Sequence, residues 1–287
     1  MMKGDVLKQA LDYALFVGYR HIDTAASYQN EAEVGEVLQD WLKAGKISRK
    51  DVFVTTKIPR TSLAKSDALQ SAEESRSKLK VKKVDMLLIH HPWAQVTDKN
   101  GTSRNVHIDI LETWKALETV VQNEHAANIG VSNFTVRQIQ RLLNVAKIPP
   151  SNAQSECHVF YQQHQLKSFC DKNDIVMSAY SPMGALGRPE QQQTRPERLT
   201  DDPLIKDLAA QYNKTPHQIL LNFLLMRGFS VLPKSCHPDR LKENFESFSF
   251  KLSDRDVQNI YSLDKGIKFF EFRYLQQHPE FFKNEHF

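Results

Sequence analysis

The chain has 287 residues, 40% hydrophobic and 25% charged, the composition of an ordinary globular enzyme long enough for one large α/β domain or two small ones. Its net charge of +4, from 38 basic and 34 acidic residues scattered along the chain, argues against nucleic acid and an anionic membrane as partners and leaves room for a local anionic ligand. No apolar run approaches the roughly 18 residues of a membrane span, MMKGDVLKQ lacks a signal-peptide core, and Cys157, Cys170 and Cys236 are an odd number without metal spacing, so a cytoplasmic protein without disulfide or metal is expected.

In chain order, Asp5 to Val17 carries Val6, Leu7, Ala10, Leu11, Ala14 and Leu15 at the helical period and stops at Gly18. The stretch Gly18 to Gly35, GYRHIDTAASYQNEAEVG, alternates as a short strand over His21–Thr24, turns through Thr24 to Ser27, sets Tyr28 at the turn's end and starts an acidic helix at Asn30. That helix presents Val34, Val37, Leu38, Trp41 and Leu42 and ends at Gly45. VFVTTKI is a β-branched strand that runs out at Lys57 before Pro59; Ser66 to Leu79 is helical, with Ala68, Leu69, Ala72 and Leu79 inward. VDMLLIHHP is apolar up to His90, the pattern of a strand buried on both faces of a parallel sheet. After a loop over Trp93–Val106 comes a helix marked by Ile110, Leu111, Trp114, Leu117, Val120 and Val121. ANIGVSNF is the next strand, and Thr135 caps a helix with Val136, Ile139, Leu142 and Leu143. NAQSECHVF, DIVMSAYSPMG and FSVLPKS are further strands, separated by helical patterns around Leu166–Cys170 and Leu204–Met226; Thr215 and Pro216 are a cap and a first-turn proline. No linker interrupts the alternation, so residues 1–287 read as one domain with an aromatic-rich loop over 268–287.

Repeated βα units mean an α/β fold with a parallel sheet, doubly wound or closed into a barrel. A GxGxxG turn is absent, which disfavours the doubly wound dinucleotide-binding fold and favours a (β/α)8 TIM barrel. About seven strands are legible, one short of a closed barrel. Asp23, Tyr28, Lys57 and His90 each follow a strand, and strand ends of a barrel converge on one mouth. An ammonium beside a phenol favours the phenolate, a carboxylate keeps the ammonium charged, and a histidine orients a carbonyl oxygen; together they make a general acid for carbonyl reduction. Taken singly, Asp23 caps a turn, Tyr28 packs its ring, Lys57 neutralises a buried acid, and His90 or His91 satisfies backbone groups. A lysine-dependent aldolase, with Lys57 as Schiff base, stays open on these residues alone.

These motifs resemble those of the aldo-keto reductase family. Gly18–Gly35 is similar to its first signature, LIHHP to its histidine strand, IGVSNF to its fifth-strand motif, and AYSPMG and VLPKSCHPDRLKEN to its late nucleotide-binding motifs. HPEFFKNEHF resembles tails of the animal aldose/aldehyde reductase branch. The resemblance implies NADPH-dependent reduction of aldehydes or ketones by a monomer acting on a small carbonyl substrate. It implies Asp23, Tyr28, Lys57 and His90 as the catalytic tetrad, with Tyr28 as proton donor, and Tyr28, His90 and His91 on the substrate side. Ser132, Asn133 and Gln154 match residues that hold the nicotinamide carboxamide, Tyr180 the ring stacked on its face, and Asp23, Thr24 and Ser181 further cofactor contacts. Lys234, Ser235 and Arg240 match the 2′-phosphate cradle, and Glu243 and Asn244 the adenine and ribose contacts.

Three departures qualify the match. Family members begin with a hairpin and a glycine-rich first strand, whereas this chain reads as starting inside the first helix, so a barrel lacking its first strand is expected, with its neighbours' edges unpaired. His91 stands where the branch usually has a tryptophan, and ECHVF and Trp93–Val106 differ from the commoner versions. The alternative the first departure leaves open is an NADPH-binding protein with little or no catalysis.

Overall fold

The structure, a computed structural model, describes residues 2–98, 100–184, 198–270, 272, 278 and 280. By contacts the chain divides into one unit running through Ala153, joined by His278 and Glu280, and a second covering Gln154–Phe272.

The first unit opens with α1 (Gly4–Val17), which buries Leu7, Ala10, Ala14 and Leu15 and leaves Val6 exposed. It ends at Gly18, whose φ of 124° lets the N–H return to the Ala14 carbonyl. β1 (His21–Asp23) leads into α2 (Glu31–Lys43), tied to α1 by the Trp41 indole donating to Asp12 at 2.7 Å. β2 (Phe53–Ile58), α3 (Lys65–Lys78) and β3 (Val84–Ile89) follow. On α3 Ser71 and Ser75 face inward with Ala68 and Ala72, while Leu69 is only half-buried. Small residues suit this position, because a side chain at Gly35 of α2 would collide with the backbone at Lys78 and Leu79.

Trp93–Val106 is not an irregular loop. It contains an antiparallel hairpin of β4 (Ala94–Thr97) and β5 (Ser103–Val106). Asp98 accepts from the N–H groups of Asn100 and Thr102 at 2.9 and 2.8 Å, and Gly101 takes φ 82°. Asn-Gly is a hairpin signal, but the mostly polar, exposed strands hide it from a hydrophobicity pattern.

α4 (Ile110–Gln122) is capped by Asp109, β6 (Ala126–Ser132) follows, and α5 (Val136–Leu143) carries the Thr135–Gln138 capping box. β1, β2, β3 and β6 are adjacent and parallel in that order, with Asp23 opposite Thr55, Lys57 opposite Leu88 and Ile89 opposite Val131. Gly130 of β6 admits the Asn152 carbonyl and the Leu88 side chain, which a Cβ would strike. Near the carboxyl end, Arg141 and Gln138 both donate to the buried Glu280 carboxylate, and His278 Nε2 lies 2.9 Å from the Val106 carbonyl.

β7 (Asn152–Glu156) leads into the second unit, with α6 (His164–Lys172) and β8 (Val176–Tyr180). The helical stretch Leu204–Met226 is two helices, α7 (Pro203–Tyr212) and α8 (Pro216–Met226), broken at Asn213 in the left-handed region and restarted by Thr215 and Pro216. α8 is buried from Gln218 to Leu224, and its Asn222 amide donates to the carbonyls of Ser247 and Phe250. β9 (Ser230–Leu232) pairs in parallel with β8 and leads to α9 (Pro238–Phe245). α10 (Asp254–Tyr261), absent from the sequence reading, is announced by Ser253, which accepts from the Asp256 N–H at 3.1 Å. Of the expected loop over 268–287, Tyr274 and most of HPEFFKNEHF lie outside the described residues.

Candidate active site

In the first unit four strand ends deliver polar side chains to one place. β2 is buried over five successive residues, and its register carries Lys57 inside with no exposed surface. A bare ammonium there would lose its charge, so partners must meet it. The Asp23 carboxylate at the end of β1 pairs with Lys57 Nζ, and the Thr24 carbonyl accepts from it at 2.9 Å. The Tyr28 hydroxyl is a further hydrogen-bond partner, and the ammonium lies 5.1 Å from the Tyr28 ring centre. Burial pulls the Lys57 pKa down, but Asp23 and then Tyr28 more than offset it, and the net direction is upward.

Tyr28 is half-buried at the end of a single 3-10 turn over Ala26–Tyr28. Burial raises its pKa, Lys57 lowers it, and Asp23 raises it again; the net direction is up. The sequence reading expected the ammonium to pull the phenol down, and that pull is present but burial outweighs it. The hydroxyl therefore stays protonated at neutral pH, with a cation beside it to stabilise the phenolate once the proton leaves.

His90 follows β3. Its ring meets Tyr28 edge-on at 5.6 Å, stacks on His91 at 4.5 Å, and its Nδ1 lies 3.2 Å from the Ser27 hydroxyl. The His91 ring lies in turn 5.0 Å from that of the buried Trp93. Burial, then the neighbouring His91, Lys57 and Arg60, holds His90 well below the usual imidazole range. Burial, then Arg60 and Lys57, pushes His91 down to about 3. Both rings are neutral at physiological pH. Ser27 and Arg60 had no signal in the sequence, because a lone serine or arginine in a turn carries none.

Thr24 is part of the scaffold: its hydroxyl donates to Asn30 at 2.7 Å, and Asn30 donates onward to the Met2 carbonyl. Ser132 and Asn133 end β6, both buried. Asn133 sits at φ 63°, a conformation asparagine tolerates, and its amide donates to the His90 carbonyl at 2.9 Å and to Ser132 Oγ at 3.1 Å. The structure thus brings Asp23, Thr24, Tyr28, Lys57 and His90 together, with His91 on one side and Asn133 donating both to the His90 carbonyl and to Ser132 Oγ.

The remaining candidates belong to the second unit. Gln154 is buried on β7; Tyr180 ends β8, half-buried, with Ser181 after it at φ 51°. Lys234, Ser235 and Arg240 flank the start of α9, where Ser235 Oγ accepts from the His237 N–H at 3.1 Å. Lys234 and Arg240 are exposed, and among the described residues neither is recorded in an ion pair with an acidic side chain. Two cations, a hydroxyl and a helix N-terminus are a donor set suited to a phosphate. Glu243 is already engaged, accepting from Thr215 Oγ1 at 2.7 Å, and Asn244 is buried beside it on α9.

Comparison with known proteins accords with this geometry. Residues 2–265 match the model of the "Aldo/keto reductase family". The chain is 40% identical over 272 residues to zebrafish (Danio rerio) aldo-keto reductase family 1 member A1-A, covering 92% of this chain and 83% of that protein. It is 36% identical over 281 residues to mouse (Mus musculus) aldo-keto reductase family 1 member D1, covering 95% and 86%. The solved aldose reductase of Schistosoma japonicum superposes with a TM-score of 0.89 at 31% identity, covering 97% of this chain and 91% of that one. The fold class is accordingly the (β/α)8 barrel. The chain belongs to the aldo/keto reductase family.

Proposed function

We propose that this protein reduces aldehydes or ketones to alcohols with NADPH, Tyr28 donating the proton. Family membership carries the coarser part, an oxidoreductase that acts on carbonyl compounds with a nicotinamide cofactor. The finer reading rests on one arrangement: the Tyr28 hydroxyl is a hydrogen-bond partner of the fully buried Lys57 ammonium, itself paired with Asp23.

A bound nicotinamide supplies the hydride for the carbonyl carbon. The protein's part is to hold and deliver a proton. As charge grows on the substrate oxygen, Tyr28 releases its proton, and Lys57, kept charged by Asp23, stabilises the phenolate left behind. His90 Nδ1 lies 3.2 Å from the Ser27 hydroxyl, and the role assigned to His90 is the tautomer in which Ser27 donates to Nδ1 and the ring proton sits on Nε2, free to donate to a carbonyl oxygen. His90 and His91 supply a neutral, partly polar wall for the substrate.

Preference for NADPH over NADH is assigned to Lys234, Ser235 and Arg240, whose donors suit a 2′-phosphate. Ser132, Asn133 and Gln154 are assigned to the carboxamide, Tyr180 to the nicotinamide face, Asp23, Thr24 and Ser181 to further cofactor contacts, and Glu243 and Asn244 to adenine and ribose. Residues 1–287 work as one reductase domain. A monomeric, cytoplasmic protein belongs to the same proposal.

The test is isotopic. With NADPH deuterated at C4 and a panel of aldehydes and ketones, the label should appear on the carbinol carbon, one alcohol formed per NADPH oxidised. A folded protein that binds NADPH and forms no alcohol would contradict catalysis and leave the cofactor-binding alternative.

A further inference from the structure

Glu156, the last residue of β7, is a carboxylate with 3% of its surface exposed. A buried carboxylate persists only where donors meet it. Its Oε1 accepts from the Phe269 N–H at 2.6 Å and lies 3.1 Å from His158 Nε2, and its Oε2 accepts from the Phe270 N–H at 3.2 Å. One side chain thus fixes two successive peptide groups 113 and 114 positions away in sequence. The same segment is tied again just upstream, where the Phe160 carbonyl accepts from the N–H groups of Lys265 and Ile267.

What this fixes is an aromatic contact. The Phe269 ring packs 4.7 Å from the His158 ring, and the Phe270 ring meets Tyr180 edge-on at 5.5 Å and 89°. The residue after Glu156 completes the alignment, since the Cys157 N–H donates to the Tyr180 carbonyl at 3.3 Å. Residues 156 and 157 therefore hold Tyr180 by its backbone and, through Phe270, by its ring.

We propose that Glu156 is a positioning residue: by clamping the backbone at Phe269 and Phe270 it seats the Phe270 ring against Tyr180, and so sets how tightly the nicotinamide end of the cofactor is held. This rests on the assignment of Tyr180 to the nicotinamide face. An edge-on neighbour restricts the Tyr180 ring before the cofactor arrives, so less conformational freedom is lost on stacking.

Phe270→Ala tests it, with Glu156→Gln alongside, which replaces one acceptor oxygen by an NH2 group facing a peptide N–H. Affinity is measured by fluorescence titration with NADPH and with 2′-phospho-ADP-ribose, which keeps the phosphates and lacks the nicotinamide. Phe270→Ala should weaken NADPH about three- to tenfold and leave 2′-phospho-ADP-ribose within about twofold. Glu156→Gln should move in the same direction, and Phe270→Tyr should restore wild-type affinity. The ligand-free melting temperature of Phe270→Ala should stay close to wild type, so the test stands even if Glu156→Gln folds poorly. Equal weakening of both ligands, or of neither, overturns the inference. A wild-type protein that binds NADPH no better than 2′-phospho-ADP-ribose overturns it too, and one that binds neither overturns the NADPH reading itself.

Discussion

The strand-end cluster of the first unit and the basic turn of the second both gather charge, but they are built in opposite ways. Lys57 has no exposed surface, and its charge survives only because Asp23 and Tyr28 meet it. Lys234 and Arg240 are exposed and, among the described residues, recorded in no ion pair with an acidic side chain. A buried ion pair is organised in advance, and removing one partner costs both chemistry and stability. Exposed cations cost folding little, and their value appears when an anion binds. The first region is therefore expected to be intolerant of substitution and the second adjustable.

The largest effect should come from Tyr28→Phe, which keeps the ring and removes the proton: turnover should fall about 10²- to 10⁴-fold with NADPH affinity nearly unchanged, by steady-state kinetics and fluorescence titration. Asp23→Asn leaves the Lys57 ammonium buried without its carboxylate and should cost about 3–5 kcal/mol in urea unfolding. Adding Lys57→Met should recover part of that loss. If the double variant is no more stable than Asp23→Asn, the two residues are not a coupled pair. In the second unit, Lys234→Met or Arg240→Ala should weaken NADPH about tenfold or more, leave NADH within about twofold and leave stability unchanged, since a charge-assisted contact contributes about 1.5–3 kcal/mol. An unchanged cofactor preference would remove the phosphate assignment.

A further effect is a pH slope to which the buried region should contribute through His91. His91 is held at about 3 in the folded protein, against about 6.5 for an unfolded imidazole. Between those values the unfolded chain binds the proton and the folded chain does not. This contribution is complete above pH 6.5 and is lost as pH falls towards 3. Urea midpoints at pH 7, 5 and 4 should fall in that order, and His91→Phe should flatten the decline. A slope unaltered by His91→Phe would assign it to other groups.

Much of the fold was legible because its signals are local. Among the described residues most of the parallel strands follow apolar runs or alternation, β7 (NAQSE) being the buried but largely polar exception, and Thr135, Thr215 and Pro216 mark helix starts where the helices begin. The hairpin over Ala94–Val106 was hidden because its strands are largely polar, and α10 because Asp254–Tyr261 carries few apolar residues, Val257 and Ile260 among them. In the site, Asp23, Tyr28, Lys57 and His90 could be listed from strand ends, but whether burial or the ammonium decides the Tyr28 pKa depends on solvent exclusion, which no spacing encodes. ECHVF stood out only as a departure from a pattern. The work of Glu156 depends on Phe269 and Phe270, so distant in sequence that periodicity cannot link them.

The most direct test of the proton-donor assignment is a paired measurement on wild type and Tyr28→Phe. NADPH oxidation is followed with a reactive aldehyde while NADPH affinity is titrated on the same preparations. The account predicts turnover in the wild type, its near disappearance in the variant, and affinities within about twofold of each other. A Tyr28→Phe protein that keeps substantial turnover, or loses turnover and NADPH affinity together, would contradict it.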